Sequence, residues 1–269
     1  MSSTGIRWSE PNIRQALLWC NARQDQNIKC TVAFLGGTPE NNAKAQLALD
    51  TNLDALKLIR QQGLDTSLTV KLTVLGGLLD NAKCRQRTLT IARAAKDQKL
   101  TVEIATESRD LVSFALESAI ACAKENGNVI LDLQAYLDRS HEDLKLAARS
   151  GLKVRIVKGA YVGDSNRNEE VQSRFRSLVE ASAENSQETL LGTHDPELID
   201  WVKAKFQRRK ESVEFGFLKG LSDKTKVDLA SQGWRVLEYV PFGEKTEAYE
   251  NRRLKFLRDL EGLGKAPAP

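Results

Sequence analysis

The stretch Leu152-Lys153-Val154-Arg155-Ile156-Val157-Lys158-Gly159-Ala160-Tyr161 decides how the rest of the chain is read. Arg155, Val157 and Gly159 alternate with Ile156, Lys158 and Ala160, as in a strand that runs into a glycine. Charge and a tyrosine therefore gather where the strand ends. Taken alone, such a tip is equally a surface strand end carrying solubilising charge. Its meaning comes from its neighbours.

The stretch contains the fifth of eight runs rich in β-branched residues. They begin near Cys30 (CTVAFL), Leu68 (LTVKLTVL), Leu100 (LTVEIA), Asn128 (NVILDL), Leu152 (LKVRIV), Glu188 (ETLLGT), Ser212 (SVEFGF) and Trp234 (WRVLEYV). The starts recur about every 29 residues, the length of one strand, one helix and two short loops. Amphipathic stretches such as 110–124 and 197–210 lie between the runs, and no Pro/Ser-rich linker interrupts them. The expectation is an α/β fold, a distorted (βα)8 TIM-like barrel over residues 30–262. An N-terminal extension, 1–29, carries an extra helix over 12–23, and a disordered tail follows at 263–269. An open doubly wound sheet is the alternative. It calls for a Gly-rich phosphate loop after the first strand, and Leu35-Gly36-Gly37 is too sparse for that.

Composition narrows the function. Of 269 residues 41% are hydrophobic and 28% charged, and 40 basic against 36 acidic residues give a net charge of +4. The basic residues are dispersed along the chain, which argues against a nucleic-acid surface and for a small-molecule ligand. Cys20, Cys30, Cys84 and Cys122 have no metal-type spacing and none lies near His141 or His194, so no metal site is expected. They read as reduced cytoplasmic thiols. Residues 1–20 lack a continuous apolar run, so neither export nor a transmembrane segment is expected.

In a barrel of this kind function sits at the C-terminal ends of the strands. The residues there are Lys71 and Glu103 in the second and third runs, Asp132 and Gln134 at the fourth, and Arg155, Lys158 and Tyr161 at the fifth. Thr193 and His194, Glu214, and Tyr239 complete the sixth to eighth. The bland alternative is that inward polar side chains pair merely to satisfy one another. The last helix adds Tyr249-Glu250-Asn251-Arg252-Arg253, with Tyr249 and Arg252 three positions apart on one face. Adjacent guanidinium forks suit a carboxylate or a phosphate.

The segments LTVKL (68–72), DLQAYL (132–137), RIVKGAY (155–161), GTH (192–194), VEFGFLKGL (213–221), YVPFG (239–243) and AYENRRL (248–254) resemble the proline dehydrogenases, in that family's order. The resemblance implies a barrel holding a flavin, FAD in preference to FMN. It also implies oxidation of L-proline to Δ1-pyrroline-5-carboxylate by hydride transfer from C5 to flavin N5, and electrons passed on to a quinone. By the same resemblance Arg252 and Arg253 clamp the substrate carboxylate and Lys71 adds a third positive charge. Tyr161, Leu218, Tyr239 and Tyr249 wall the substrate ring. Gln134 and Arg155 lie beside the flavin, Val157, Lys158, Gly159, Thr193 and His194 line it, and Glu214 is counted with the cofactor-binding residues. Contact with a membrane, if any, would be peripheral.

The chain departs from that pattern in several places. Glu103 stands where the family usually has aspartate, and Gly37 where a carboxylate would pair with an active-site arginine, unless Glu40 substitutes. Val162 follows Tyr161, Gly216 follows Glu214-Phe215, and Phe256 replaces a glutamate after the arginines. Four other readings stay open: a flavoenzyme for a different cyclic amine, a non-catalytic binding barrel, a glycoside hydrolase using Glu103 and Glu214, and a Schiff-base lyase using Lys71 or Lys158.

Overall fold

A computed structural model of the chain describes residues 7–107, 109–159, 163–165, 167–262, 264 and 266. Tyr161 and Val162 lie outside them, as does most of the 263–269 tail.

Helix α1 (Ile13–Gln24) opens the fold. Strand and helix then alternate as β1 (Ile28–Phe34), α2 (Asn42–Gln62), β2 (Thr66–Lys71), α3 (Asn81–Gln98), β3 (Val102–Ala105), α4 (Val112–Glu125), β4 (Val129–Gln134) and α5 (Ser140–Arg149). The series continues with β5 (Lys153–Val157), α6 (Asn168–Asn185), β6 (Thr189–Gly192), α7 (Pro196–Phe206), β7 (Val213–Leu218), α8 (Asp223–Ser231), β8 (Arg235–Phe242) and α9 (Glu247–Gly262). The eight strands close in sequence order, β1 pairing with β8, and every pairing is parallel.

The alternation along each strand explains the closure. Ile104, Ile156, Leu191 and Phe215 are fully buried and face the helices. Their neighbours Glu103, Arg155 and Glu214 therefore point into the barrel, where they meet one another. Helices begin where the sequence supplies caps. Asn12, Asn41 and Asp80 accept from Gln15 N, Lys44 N and Lys83 N, and Asp195 caps a helix with Pro196 in its first turn.

Two features depart from plain repetition. The second run does not continue as a strand past Lys71. Leu75 N bonds to Lys71 O at 3.2 Å and Gly77 N to Leu72 O at 2.8 Å, turning the chain. A Cβ on Gly77 would stand 2.9 Å from Leu72 O, so the turn closes only on glycine. Helix α9 supplies residues that line the cleft at the C-terminal mouth, while α1 packs on the outside of β1 and β8. Glu238 on the outward face of β8 anchors this arrangement. It is fully buried and meets Trp19 Nε1 at 3.1 Å, Arg23 Nε at 2.7 Å and Lys226 Nζ at 3.2 Å. No helix among the described residues is long and apolar enough to cross a membrane.

Candidate active site

The site is built on a charged layer inside the barrel. Arg155, from β5, donates from Nε to Glu103 Oε1 (3.0 Å) and from Nη2 to Glu103 Oε2 (3.0 Å) on β3. Nη2 also donates to Glu214 Oε1 on β7 at 2.9 Å. Strands β3, β5 and β7 alternate around the barrel, so the three side chains belong to one interior layer. Arg235 Nη2 reaches Glu214 Oε2 at 3.1 Å and completes an alternating chain of charge. Burial works against the Arg155 cation, but Glu103 and Glu214 outweigh it and hold the proton more firmly than usual.

Asp132 lies opposite Arg155 in the β4–β5 register, close to Glu103. Burial first, and then the Glu103 charge, push its carboxyl well above the usual carboxylate range, with Arg155 opposing.

Above this layer opens a cleft of about 200 Å³ whose walls come from strand ends and α9. Its floor carries little side-chain bulk, because Val157, Gly192 and Gly216 stand in register on β5, β6 and β7. Arg155 Nη1, which has no hydrogen-bond partner, lies 3.3 Å from where a Cβ on Gly216 would be. An unsatisfied buried donor beneath a glycine floor is a place for a flat group with acceptor atoms.

Lys71 lines one wall and pairs with Glu107 at 2.8 Å, both groups being nearly buried. Glu107 also accepts from Thr73 N and Oγ1, at 2.9 and 2.7 Å. Burial would raise the Glu107 carboxyl, but Lys71 and Thr73 outweigh it and lower it. Arg252 and Arg253 of α9 also line the cleft, with the Arg253 guanidinium 5.0 Å from the Tyr249 ring centre. Tyr239 and Tyr249 lie 6.3 Å apart, centre to centre, and with Leu218 form an apolar, aromatic wall. Such a cleft suits a small ring bearing a carboxylate.

His194 lines the β6 side. Leu218 N donates to its Nε2 at 3.1 Å, so Nδ1 carries the proton and donates to Ser222 Oγ at 2.9 Å. Burial, then Lys226 and Arg253, hold it well below the usual histidine range, so the ring is neutral and both nitrogens are committed. Lys158 Nζ is held by Asp195 at 2.7 Å and Asn168 at 2.8 Å.

The structure brings Lys71, Glu103, Gln134, Arg155, Val157, Lys158 and Gly159 to this one cleft. Thr193, His194, Leu218, Tyr239, Tyr249, Arg252 and Arg253 join them there. Glu214 is different: it lines a separate cavity at the opposite, N-terminal end of the barrel with Glu188 and Arg235. Glu103 is likewise deeper than its sequence position suggests. It stands level with Thr69, and Ala105 is the residue level with Lys71. Glu40 does not replace the carboxylate missing at Gly37, because it is exposed and paired with Lys44 at 2.9 Å.

Both hydrolase candidates, Glu103 and Glu214, hold the same guanidinium and do not flank a cleft. Both lyase candidates are ion-paired ammonium groups, which are not nucleophiles. The sequence reading missed Glu107 and Asp195, whose signal was only their position just past strand ends.

Comparison with known proteins agrees with this geometry. The family model described as proline dehydrogenase matches residues 17–255. "Proline dehydrogenase 2" of Bacillus subtilis is 26% identical over 253 residues, spanning 91% of this chain and 81% of that protein. "Proline dehydrogenase" of Deinococcus radiodurans is 27% identical over 257 residues, spanning 90% and 82%. The solved structure of proline utilization A from Bdellovibrio bacteriovorus, inactivated by N-propargylglycine, superposes with a TM-score of 0.85 at 19% identity. That match covers 93% of this chain but only 32% of the larger one, and shares the barrel fold.

Proposed function

The chain belongs to the proline dehydrogenase family, and from that premise we propose that it oxidises L-proline to Δ1-pyrroline-5-carboxylate. The observation that carries the reading is one cleft in which Arg252, Arg253 and Lys71 face an aromatic wall above a glycine floor with an unsatisfied Arg155 donor. The family is flavin-dependent, and the floor fits a flat, acceptor-bearing ring system.

We assign Gln134, Arg155, Val157, Lys158, Gly159, Thr193 and His194 to the cofactor. A bound flavin supplies the two-electron acceptor for the C5 hydride. The chain's own residues hold and orient. The arginine pair binds the substrate carboxylate bidentately, and Leu218, Tyr239 and Tyr249 fix the ring, so that C5 is presented in one geometry. Arg155, kept cationic by its carboxylates, stabilises negative charge that develops above it. Glu107, by pairing with Lys71, tempers the third positive charge of the clamp.

FAD is the form we propose, with a quinone as electron acceptor. The four buried free thiols support a reducing, cytoplasmic setting, with contact to a membrane at most peripheral. The test is to reconstitute the protein with FAD and with FMN, chromatograph the released cofactor, and assay proline, trans-4-hydroxyproline, pipecolate and thiazolidine-4-carboxylate together. Stoichiometric FAD with proline preferred is expected. No retained flavin, or no turnover of proline, overturns the proposal.

A further inference from the structure

Loss of a hydride from C5 of proline raises a requirement that the clamp does not meet. At neutral pH the ring nitrogen is a cationic secondary ammonium, and its electron pair is tied to a proton. That pair must be released before it can form the C=N bond. Some group at the cleft has to take the proton.

The described cleft-lining residues leave few candidates. His194 has both ring nitrogens committed. Lysine and arginine are already protonated. Of the carboxyls, Glu103 is held by Arg155 and Asp195 by Lys158. The third is Asp132, on which no cation sits among the described residues, and whose Oδ1 is buried with no donor facing it.

We propose that Asp132 is the base that takes the proton from the substrate's ring nitrogen, directly or through one water in the cleft. The inference rests on the cleft being the site of proline oxidation. In the step, one N–H bond breaks and its proton goes to ionised Asp132, while the pair stays on nitrogen. C5–H then leaves as hydride to the two-electron oxidant, and the nitrogen pair closes C=N. The products are the protonated imine, one proton on Asp132 and one hydride, two electrons with their proton, on the oxidant.

The groups facing Asp132 suit the task. Glu103 on β3 repels its ionised form, while Arg155 on β5 and Lys71 on β2 favour it. Burial and Glu103 together make the carboxyl more basic than an ordinary carboxylate, which favours a general base. The approaching cationic nitrogen favours the ionised form in turn.

The test compares the flavin-loaded parent with Asp132→Asn and Glu103→Gln, on proline and on thiazolidine-4-carboxylate, whose ring sulfur makes its nitrogen far less basic. Asp132→Asn keeps the size and shape of the side chain, so folding and flavin content should hold. For proline near neutral pH, kcat/KM should fall about 10²- to 10⁴-fold. Activity should recover as the pH rises and free amine accumulates in solution. The loss on thiazolidine-4-carboxylate should be much smaller. Glu103→Gln, which removes the like charge, should shift the rising limb of the proline profile to lower pH.

A structural role would depress both substrates alike. Equal losses on the two substrates, or an unchanged pH profile in Asp132→Asn, overturn the proposal. If Asp132→Asn does not fold, an unshifted limb in Glu103→Gln overturns it. A parent that oxidises neither substrate fails the functional reading itself, and the base assignment with it.

Discussion

Arg155→Met should destabilise the barrel severely, because it removes the cation from a layer that contains three carboxyls. Methionine keeps most of the length and volume but neither the charge nor the donors. Glu103 loses contacts at 3.0 and 3.0 Å, and Glu214 one at 2.9 Å, with Asp132 beside them and water largely excluded. Breaking a buried ion network by deleting one partner costs about 3–5 kcal/mol. A chain of this size loses roughly 2–4 °C per kcal/mol, so the melting temperature should fall by about 6–20 °C. Calorimetry should be done without flavin, so that lost binding does not masquerade as lost stability. A triple variant, Arg155→Met with Glu103→Gln and Glu214→Gln, should recover most of the loss, since neutral groups can replace a buried charge network at little cost. A single variant costing under about 1 kcal/mol, or a triple variant no better than the single, refutes the reasoning.

Arg252→Ala should cost about 2–4 kcal/mol of transition-state binding, read as a lower kcat/KM for proline, with flavin retained better than in Arg253→Ala. Tyr239→Ser, which opens the wall beside Tyr249, should narrow the preference for proline over trans-4-hydroxyproline, mainly by losing proline activity; parallel kinetics on the two rings check this. Glu238→Ala removes the fully buried partner of Arg23 and Lys226, leaving them only the half-exposed Asp223, and should cost about 3 kcal/mol by denaturant titration. The raised Asp132 carboxyl keeps its proton in the folded state at pH values where the unfolded chain has lost it. Its contribution to stability is therefore complete below the ordinary carboxylate range and is lost as pH rises through the folded value. Melting curves between about pH 4 and about pH 8 should accordingly move in favour of Asp132→Asn as the pH rises.

The barrel was legible because outward residues such as Ile104, Ile156 and Phe215 had to be apolar, and their period of two survives in one sequence. The same period places Glu103, Arg155 and Glu214 inside, but not their heights. Strand register decides those, and it put Glu214 out of the cleft and Ala105 level with Lys71. The end of β2 was hidden by the apolar run after Lys71, whose Leu72, Val74 and Leu75 are buried in a turn. Helix α9 reads like any amphipathic helix apart from its adjacent arginines, whose fit to a carboxylate or phosphate was legible, and the family resemblance supplied the substrate. The pairing of Glu107 with Lys71 depends on a loop conformation that propensity does not specify.

Anaerobic addition of L-proline to the flavin-reconstituted protein tests the central claim most directly, with the visible flavin absorbance followed and the product trapped. The account predicts that the oxidised-flavin absorbance bleaches, with one equivalent of Δ1-pyrroline-5-carboxylate formed per flavin. A retained flavin whose spectrum stays unchanged at saturating proline would contradict it.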